Sequence, residues 1–341
     1  MDTRSALWIG LRRRRTSLLD RSLLKDSSSR RRTFAAALQQ FEEQMTAANV
    51  VSAATRPINL YYTLVQAGLA ISAAHTPGQF SFDKHGLTVA DMGSSVPAVC
   101  IRRHGHGAFQ VVAAATASPQ IAGTVTLGSL WMSIPELSED VPLEGVPYRP
   151  ALTVIPHRFH SRSGYVQGAL GTLEAQLHAQ LCANGKMPVE AERAEWLAHV
   201  RVNYPTLRDA SLPTDVGETF REVRPGRFTV DITCPAADTT EQAQFLDTLA
   251  PLYRFEAHRW ARPSVEAASE PPSPLMSWWL LLYSFSMLAR YQPRMWLEAL
   301  DIDKSPNAAA LEHALDEALE VLPHLVLEGL DQHPLLLRAP L

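Results

Sequence analysis

A chain of 341 residues, 46% hydrophobic and 19% charged, has ordinary globular composition, which excludes a disordered or collagen-like protein and allows one large domain or two of common size. Its three cysteines, Cys100, Cys182 and Cys234, are odd in number and far apart, which argues against a disulfide framework or a zinc-ligand pair and for a reducing cytosol. The net charge of −4 hides an asymmetry: residues 1–33 carry nine Arg and Lys25 against Asp2, Asp20 and Asp26, a net +7, leaving −11 for the remainder.

The N-terminal stretch has no continuous apolar segment before a small-residue cleavage site, so no secretory signal is expected. Its basic runs, Arg12, Arg13, Arg14 and Arg15 followed by Arg30, Arg31 and Arg32, admit two readings. They could hold nucleic-acid phosphates through a salt-sensitive, sequence-independent attraction, or form a solvated arm that docks on the acidic body of the protein. From Thr33 to about Ala48 an apolar stripe of Phe34, Leu38, Phe41 and Met45 predicts a helix. Pro57 suits the first turn of a second helix, Arg56–Ala74, which is apolar nearly all round and ends at His75-Thr76-Pro77-Gly78.

Between about Phe80 and Ser163 the texture changes to short β-type runs, FQVVAAA and ALTVIP among them, with GSLWMSIPEL as a helical exception. Helices are expected near Val166–Cys182, Val189–Val200 and Glu241–Leu249, and RFTVDIT at 227–233 alternates like a half-buried strand. The paired prolines of SVEAASEPPSP at 264–274 mark a linker. Beyond it the pattern is helical, in pieces at Trp278–Tyr291 (within an apolar stretch from Leu275 to Trp296), Asn307–Val321 and Pro323–Leu330. The longest apolar run, Trp278–Leu288, is interrupted by Ser284 and Ser286 and is too short for a membrane span.

Four ordered motifs stand out: Pro57 with Tyr61 and Tyr62; Lys84-His85-Gly86-Leu87; Ile134-Pro135-Glu136; and Ser286-Met287 with Arg290, Tyr291 and Trp296. Together they resemble the YaaC-like family of bacterial proteins over the whole chain. That resemblance implies a bacterial cytosolic setting and no transferable activity. Residues 34–87 alone are similar to HEPN domains, small helical bundles of bacterial toxin and antiviral systems, several of which cut RNA; the matching positions are Tyr61, Tyr62, Gly68, Lys84 and His85. The catalytic Arg-x(4–6)-His pattern of those nucleases has one match, Arg193 with His199, and in a chain with 12 His a single match is what chance supplies.

Among residues that could carry chemistry, His85 sits before Gly86, which permits a positive-φ turn; the imidazole could act as an acid–base group, hold a phosphate or cap local carbonyls. Arg290 ends an apolar helix, where a guanidinium needs either an internal carboxylate or an anionic ligand. RRHGHG at 102–107 and HRFH at 157–160 invite a metal reading, but no third ligand is specified, so no metal and no cofactor is expected. Phosphate-loop, dinucleotide-fingerprint, nucleophile-elbow and His-Glu-x-x-His motifs are all absent.

The resulting expectation is an α+β protein with a predominantly helical core, N- and C-terminal helices packed together, and a β-rich middle. Its parts are a basic arm (1–33), a helical segment (34–79), an α+β region (80–263), a linker (264–274) and a C-terminal helical segment (275–341). The binding candidates are Tyr61, Tyr62, Lys84, His85, Ser286, Arg290 and Tyr291, with His85, Arg290, Arg193 and His199 the catalytic ones. The functional expectation is a component that binds RNA or a protein partner in a stress or antiviral system. A metal-independent ribonuclease is the first alternative; a scaffold subunit of a larger assembly, or a homo-oligomer, is the second.

Overall fold

The structure, a computed structural model, describes residues 3–16, 22–138, 141–147, 149–156, 163–169, 198–209, 220–224, 227–233, 253–255, 258–266 and 269–332. It is α+β with a helical core and antiparallel sheets. The chain divides into two compact units, one of residues 1–130 with 272–338 and the other of residues 131–271 with 339–341. Among the described residues no helix is long and apolar enough to cross a membrane.

The first unit is built on four long helices, two from each end of the chain. Helix α2 (Ser28–Val50) starts at Ser27, whose hydroxyl accepts from the Arg30 N–H, and buries the Phe34, Leu38, Phe41 and Met45 stripe. Helix α3 (Arg56–His75) carries Pro57 in its first turn and buries residues on every side. Before them, α1 (Thr3–Arg14) buries Leu7 and Leu11 and sets Trp8 against Phe41, with ring centroids 5.9 Å apart. In the C-terminal part, α7 (Pro274–Tyr291) packs on α3, and α9 (Ala308–Asp331) packs on both.

The α3–α7 contact depends on a missing side chain. A Cβ at Gly68 would stand 2.6 Å from Val112 Cγ2 and 2.7 Å from Trp279 Cζ3, closer than carbon atoms can pack. Trp279 and its neighbour Trp278 are fully buried, so α7 is closely surrounded. Arg56 then secures the turn into α3: its guanidinium donates to the carbonyls of Ala48 (3.1 Å) and Val51 (3.2 Å), orphan acceptors at the end of α2, and pairs with Asp316 on α9. The Trp296 indole N–H, from α8 (Pro293–Ala299), donates to the Ala53 carbonyl at 3.2 Å.

The small sheet of this unit has order β1-β2-β3, all antiparallel: Leu87–Asp91, Cys100–Arg103 and Thr124–Thr126. Two expectations are corrected here. FQVVAAA is not a strand but helix α4 (Ala108–Ala115), opened at Gly107, whose N–H donates to the Gln110 side chain. Asn307–Val321 and Pro323–Leu330 are not two helices; α9 runs through Pro323, because the buried face of Leu319, Leu322 and Val326 holds the helix where one backbone bond is lost.

In the second unit, α5 (Leu127–Met132), within which the division falls, and α6 (Pro135–Ser138) precede a six-stranded antiparallel sheet of order β6-β7-β5-β4-β9-β8. Its strands are β4 (Leu152–Pro156), β5 (Ser163–Ala169), β6 (Phe220–Arg224), β7 (Arg227–Thr233), β8 (Tyr253–Phe255) and β9 (His258–Ala261). ALTVIP and RFTVDIT are thus strands. Val166, expected to begin a helix, lies in β5 opposite Val154 and Val230. Of the helix expected at Val189–Val200 only the end falls within the described residues, helical from 198; the segment Glu241–Leu249 lies outside them.

Gly68→Ala tests the close approach of α3 and α7. Helix propensity alone favours Ala by about 1 kcal/mol, whereas overpacking a core costs about 1–3 kcal/mol. The expected outcome is a lower thermal midpoint, and a raised midpoint would show that the two helices have room between them.

Candidate functional site

The turn from Lys84 to Leu87 is held by its backbone. The Lys84 carbonyl accepts from Ala108 N–H (2.9 Å) and that of His85 from Phe109 N–H (3.1 Å). The Gly86 carbonyl accepts from His104 N–H (3.0 Å) and Gln110 Nε2 (2.7 Å), and the Leu87 carbonyl from the Tyr283 hydroxyl (3.1 Å). Every carbonyl of the turn is therefore satisfied, three of them by the segment that opens α4. Gly86 has φ +76°, and a Cβ there would stand 1.9 Å from Gln110 Oε1, so glycine is required on both conformational and steric grounds. Gln110 also accepts from the Gly107 N–H at 2.9 Å, and one buried amide thereby ties the turn to the helix.

That turn presents His85 to the ends of α3 and α7. The Tyr61 hydroxyl stands 2.9 Å from His85 Nδ1, and the two rings meet edge-on at 5.5 Å. Tyr283 lies 5.4 Å from Tyr61 and 5.9 Å from His85, with Trp279 6.2 Å from Tyr61. Tyr61, Tyr283 and Trp279 are buried and His85 is half-buried. Arg290 lies at the rim: its guanidinium stands 3.4 Å from the Tyr62 hydroxyl, 3.2 Å from Met287 Sδ and 5.0 Å from the centre of the exposed Tyr291 ring. Among the described residues it makes no ion pair, and its Nε is buried without an acceptor.

The electrostatics follow from burial beside an uncompensated cation. Burial, and then the charge of Arg290, push the His85 pKa below its ordinary value, which keeps the imidazole neutral near pH 7. Burial raises the Tyr61 hydroxyl, helped by Tyr283 and opposed by Arg290, and pushes Tyr283 up to about 12. The arrangement is a neutral imidazole backed by protonated phenols and a guanidinium with no carboxylate partner among the described residues, and the imidazole and guanidinium are suited to an anion.

Of the residues expected here, Tyr61, Tyr62, His85, Arg290 and Tyr291 are brought together. Lys84 is exposed next to His85, while Ser286 is buried within α7 with its hydroxyl unpartnered among the described residues. His199 belongs to the other unit, where its Nδ1 is 3.0 Å from Asn203 Nδ2; Arg193 and the HRFH segment lie outside the described residues. His104 and His106 are exposed, and no group of three or more His, Cys, Asp or Glu that could hold a metal is found among the described residues. The basic runs are largely engaged within the protein: Arg12 and Arg15 on Glu42, Arg14 on Asp331, Arg30 on the Ala73 and Gly78 carbonyls, and Arg31 on those of Leu24 and Lys25. Arg32 is exposed on α2, and Arg13 lies on α1.

Sequence reasoning missed Tyr283 and Gln110. Tyr283 precedes Arg290 by two helical turns, with Met287 between them on the same face, and that spacing was its available signal. Gln110, three residues after Gly107, has capping-box spacing.

Two outcomes are expected. His75, whose Nε2 donates to the Leu330 carbonyl at 2.8 Å, has its pKa lowered by burial, as does His85. Depressed histidines leave stability intact above the unfolded value near pH 6.5 and remove it as pH falls below, because the unfolded chain takes up the protons first. The thermal midpoint therefore falls on acidification through pH 6, less steeply in His75→Gln and His85→Gln; an unchanged slope in both variants would contradict this. Separately, Gly86→Ala displaces Gln110, and faster amide exchange across α4 is the measurement that detects it.

No curated protein and no solved structure matches the chain. The family model described as YaaC-like Protein matches residues 12–330, a span that includes Tyr61, His85, Tyr283 and Arg290. The chain belongs to the YaaC-like family.

Proposed function

We propose that this YaaC-like protein is a binding component that takes single-stranded RNA at the Tyr61–His85–Arg290 site, with Arg290 on a backbone phosphate. The observation that carries the reading is Arg290 itself, a guanidinium at the end of an apolar helix with a buried, unpartnered Nε and no carboxylate partner among the described residues. Tyr62, 39% exposed, and Tyr291, 60% exposed, flank it; open aromatic faces beside a cation suit bases and phosphates together. The similarity of residues 34–87 to HEPN domains supports a place in a bacterial stress or antiviral response. A metal-independent ribonuclease is the second reading, favoured by one observation: a neutral histidine beside an uncompensated arginine sets an acid–base group next to a phosphate-binding one.

The test is a fluorescence anisotropy titration with a short single-stranded RNA in EDTA, followed by electrophoresis of the same RNA. Intact RNA, binding that weakens with salt, and a loss of at least about tenfold in Arg290→Gln are expected. Cleavage that disappears in His85→Ala would replace binding with the ribonuclease reading. Absence of RNA binding, with a co-purifying protein that Arg290→Gln no longer retains, would shift the site to a protein partner.

A further inference from the structure

The contact between Tyr61 and His85 has a direction. Among the described residues the buried Tyr61 hydroxyl has one acceptor within hydrogen-bond distance, His85 Nδ1 at 2.9 Å; the neighbouring Trp279 indole N–H can only donate to it. A neutral imidazole offers one nitrogen as acceptor and one as donor. A proton on Nδ1 would point at the Tyr61 oxygen and leave the buried phenol's own proton without an acceptor among the described residues, since the Trp279 indole only donates. With the phenol as donor, Nδ1 is the acceptor and the ring proton resides on Nε2. No residue among those described bonds to Nε2, which lies on the half-buried ring's open side.

We infer that Tyr61 fixes the tautomer of His85, so that the site engages an oxyanion with two donors, His85 Nε2–H and the Arg290 guanidinium, and does not take a proton from its ligand. Protonating the ring would reverse the Tyr61 contact and strand the phenol proton, which reinforces the effects of burial and Arg290 in keeping His85 neutral. A group that is acceptor-only and fully ionised at pH 7 meets these donors without competition; the phosphodiester of an RNA backbone is of that kind. The inference rests on the RNA-binding reading and narrows it: Tyr61 is a positioning residue, and His85 is a donor, not a base.

The tautomer is read directly from ring 15N–1H correlations of the 15N-histidine-labelled full chain, with the His85→Gln spectrum supplying the assignment. The expected result is an Nε2–H pattern for His85 that becomes a tautomer mixture in Tyr61→Phe. An Nδ1–H pattern, or no change in a folded Tyr61→Phe protein, overturns the inference; should that variant fail to fold, the wild-type spectrum decides. A second arm uses the same single-stranded RNA. Gln places an amide donor near the position of Nε2 and Asn near that of Nδ1, so His85→Gln should bind within about threefold of wild type while His85→Asn loses about tenfold or more. Equal losses in both variants overturn the donor role. An Nε2–H tautomer in a protein that binds no RNA overturns the RNA reading alone and leaves the Tyr61–His85 assignment standing.

Discussion

At Gly68 two core helices come so close that the Trp279 indole occupies the space any side chain would need. The contacts of α3 and α7 run in opposite senses along the two helices: Gly68, late in α3, meets Trp279, early in α7, while Tyr61 and Tyr62, early in α3, meet Tyr283 and Arg290, farther along α7. The helices are therefore antiparallel, and fixing one contact sets the others in register. A larger residue at position 68 would part the helices and with them the Tyr61 and Tyr283 rings, whose edge-on contact needs the present spacing. The aromatic cluster beneath His85 is in this sense a product of packing elsewhere in the core.

The arginines show what is unusual about the site. Arg30, Arg31 and Arg56 spend their donors on backbone carbonyls at or near helix ends, and Arg12, Arg14 and Arg15 meet carboxylates on α2 and α9. Such uses are structural: they satisfy orphan acceptors and neutralise charge at the same time. Arg290 does neither among the described residues, for its neighbours are a phenol, a thioether and an aromatic face. Each of these stabilises a cation weakly, so the charge is held in place without being cancelled.

What could be read from sequence and what could not divides along physical lines. The α2 stripe and the apolar circumference of α3 and α7 were legible because burial on one or all sides leaves a periodic record. FQVVAAA misled because a short run of Val and Ala fits a buried strand and a buried helix equally; what decides is Gly107 approaching Lys84 and Gln110 bonding the Gly86 carbonyl, contacts made across more than twenty residues. Pro323 misled for a related reason, since a local rule was overridden by packing along α9. At the site, His85, Tyr61 and Arg290 were visible as motif residues. Their mutual distances were not, and neither was Tyr283, which inside an apolar run looks like any other core aromatic.

Helix α4 has eight residues, too few to be stable by itself in water. It is held because Gln110 and the backbone N–H groups of Ala108 and Phe109 are bonded to the Lys84–Gly86 turn, and that turn keeps its shape because α4 is there. Each holds the shape of the other, and the fully buried Phe109 and Val112 seat the pair on α3 and α7. His85 is thereby joined through its own backbone carbonyl to the first turn of α4, so the imidazole stands on a support shared between a turn and a helix, and not on a free loop.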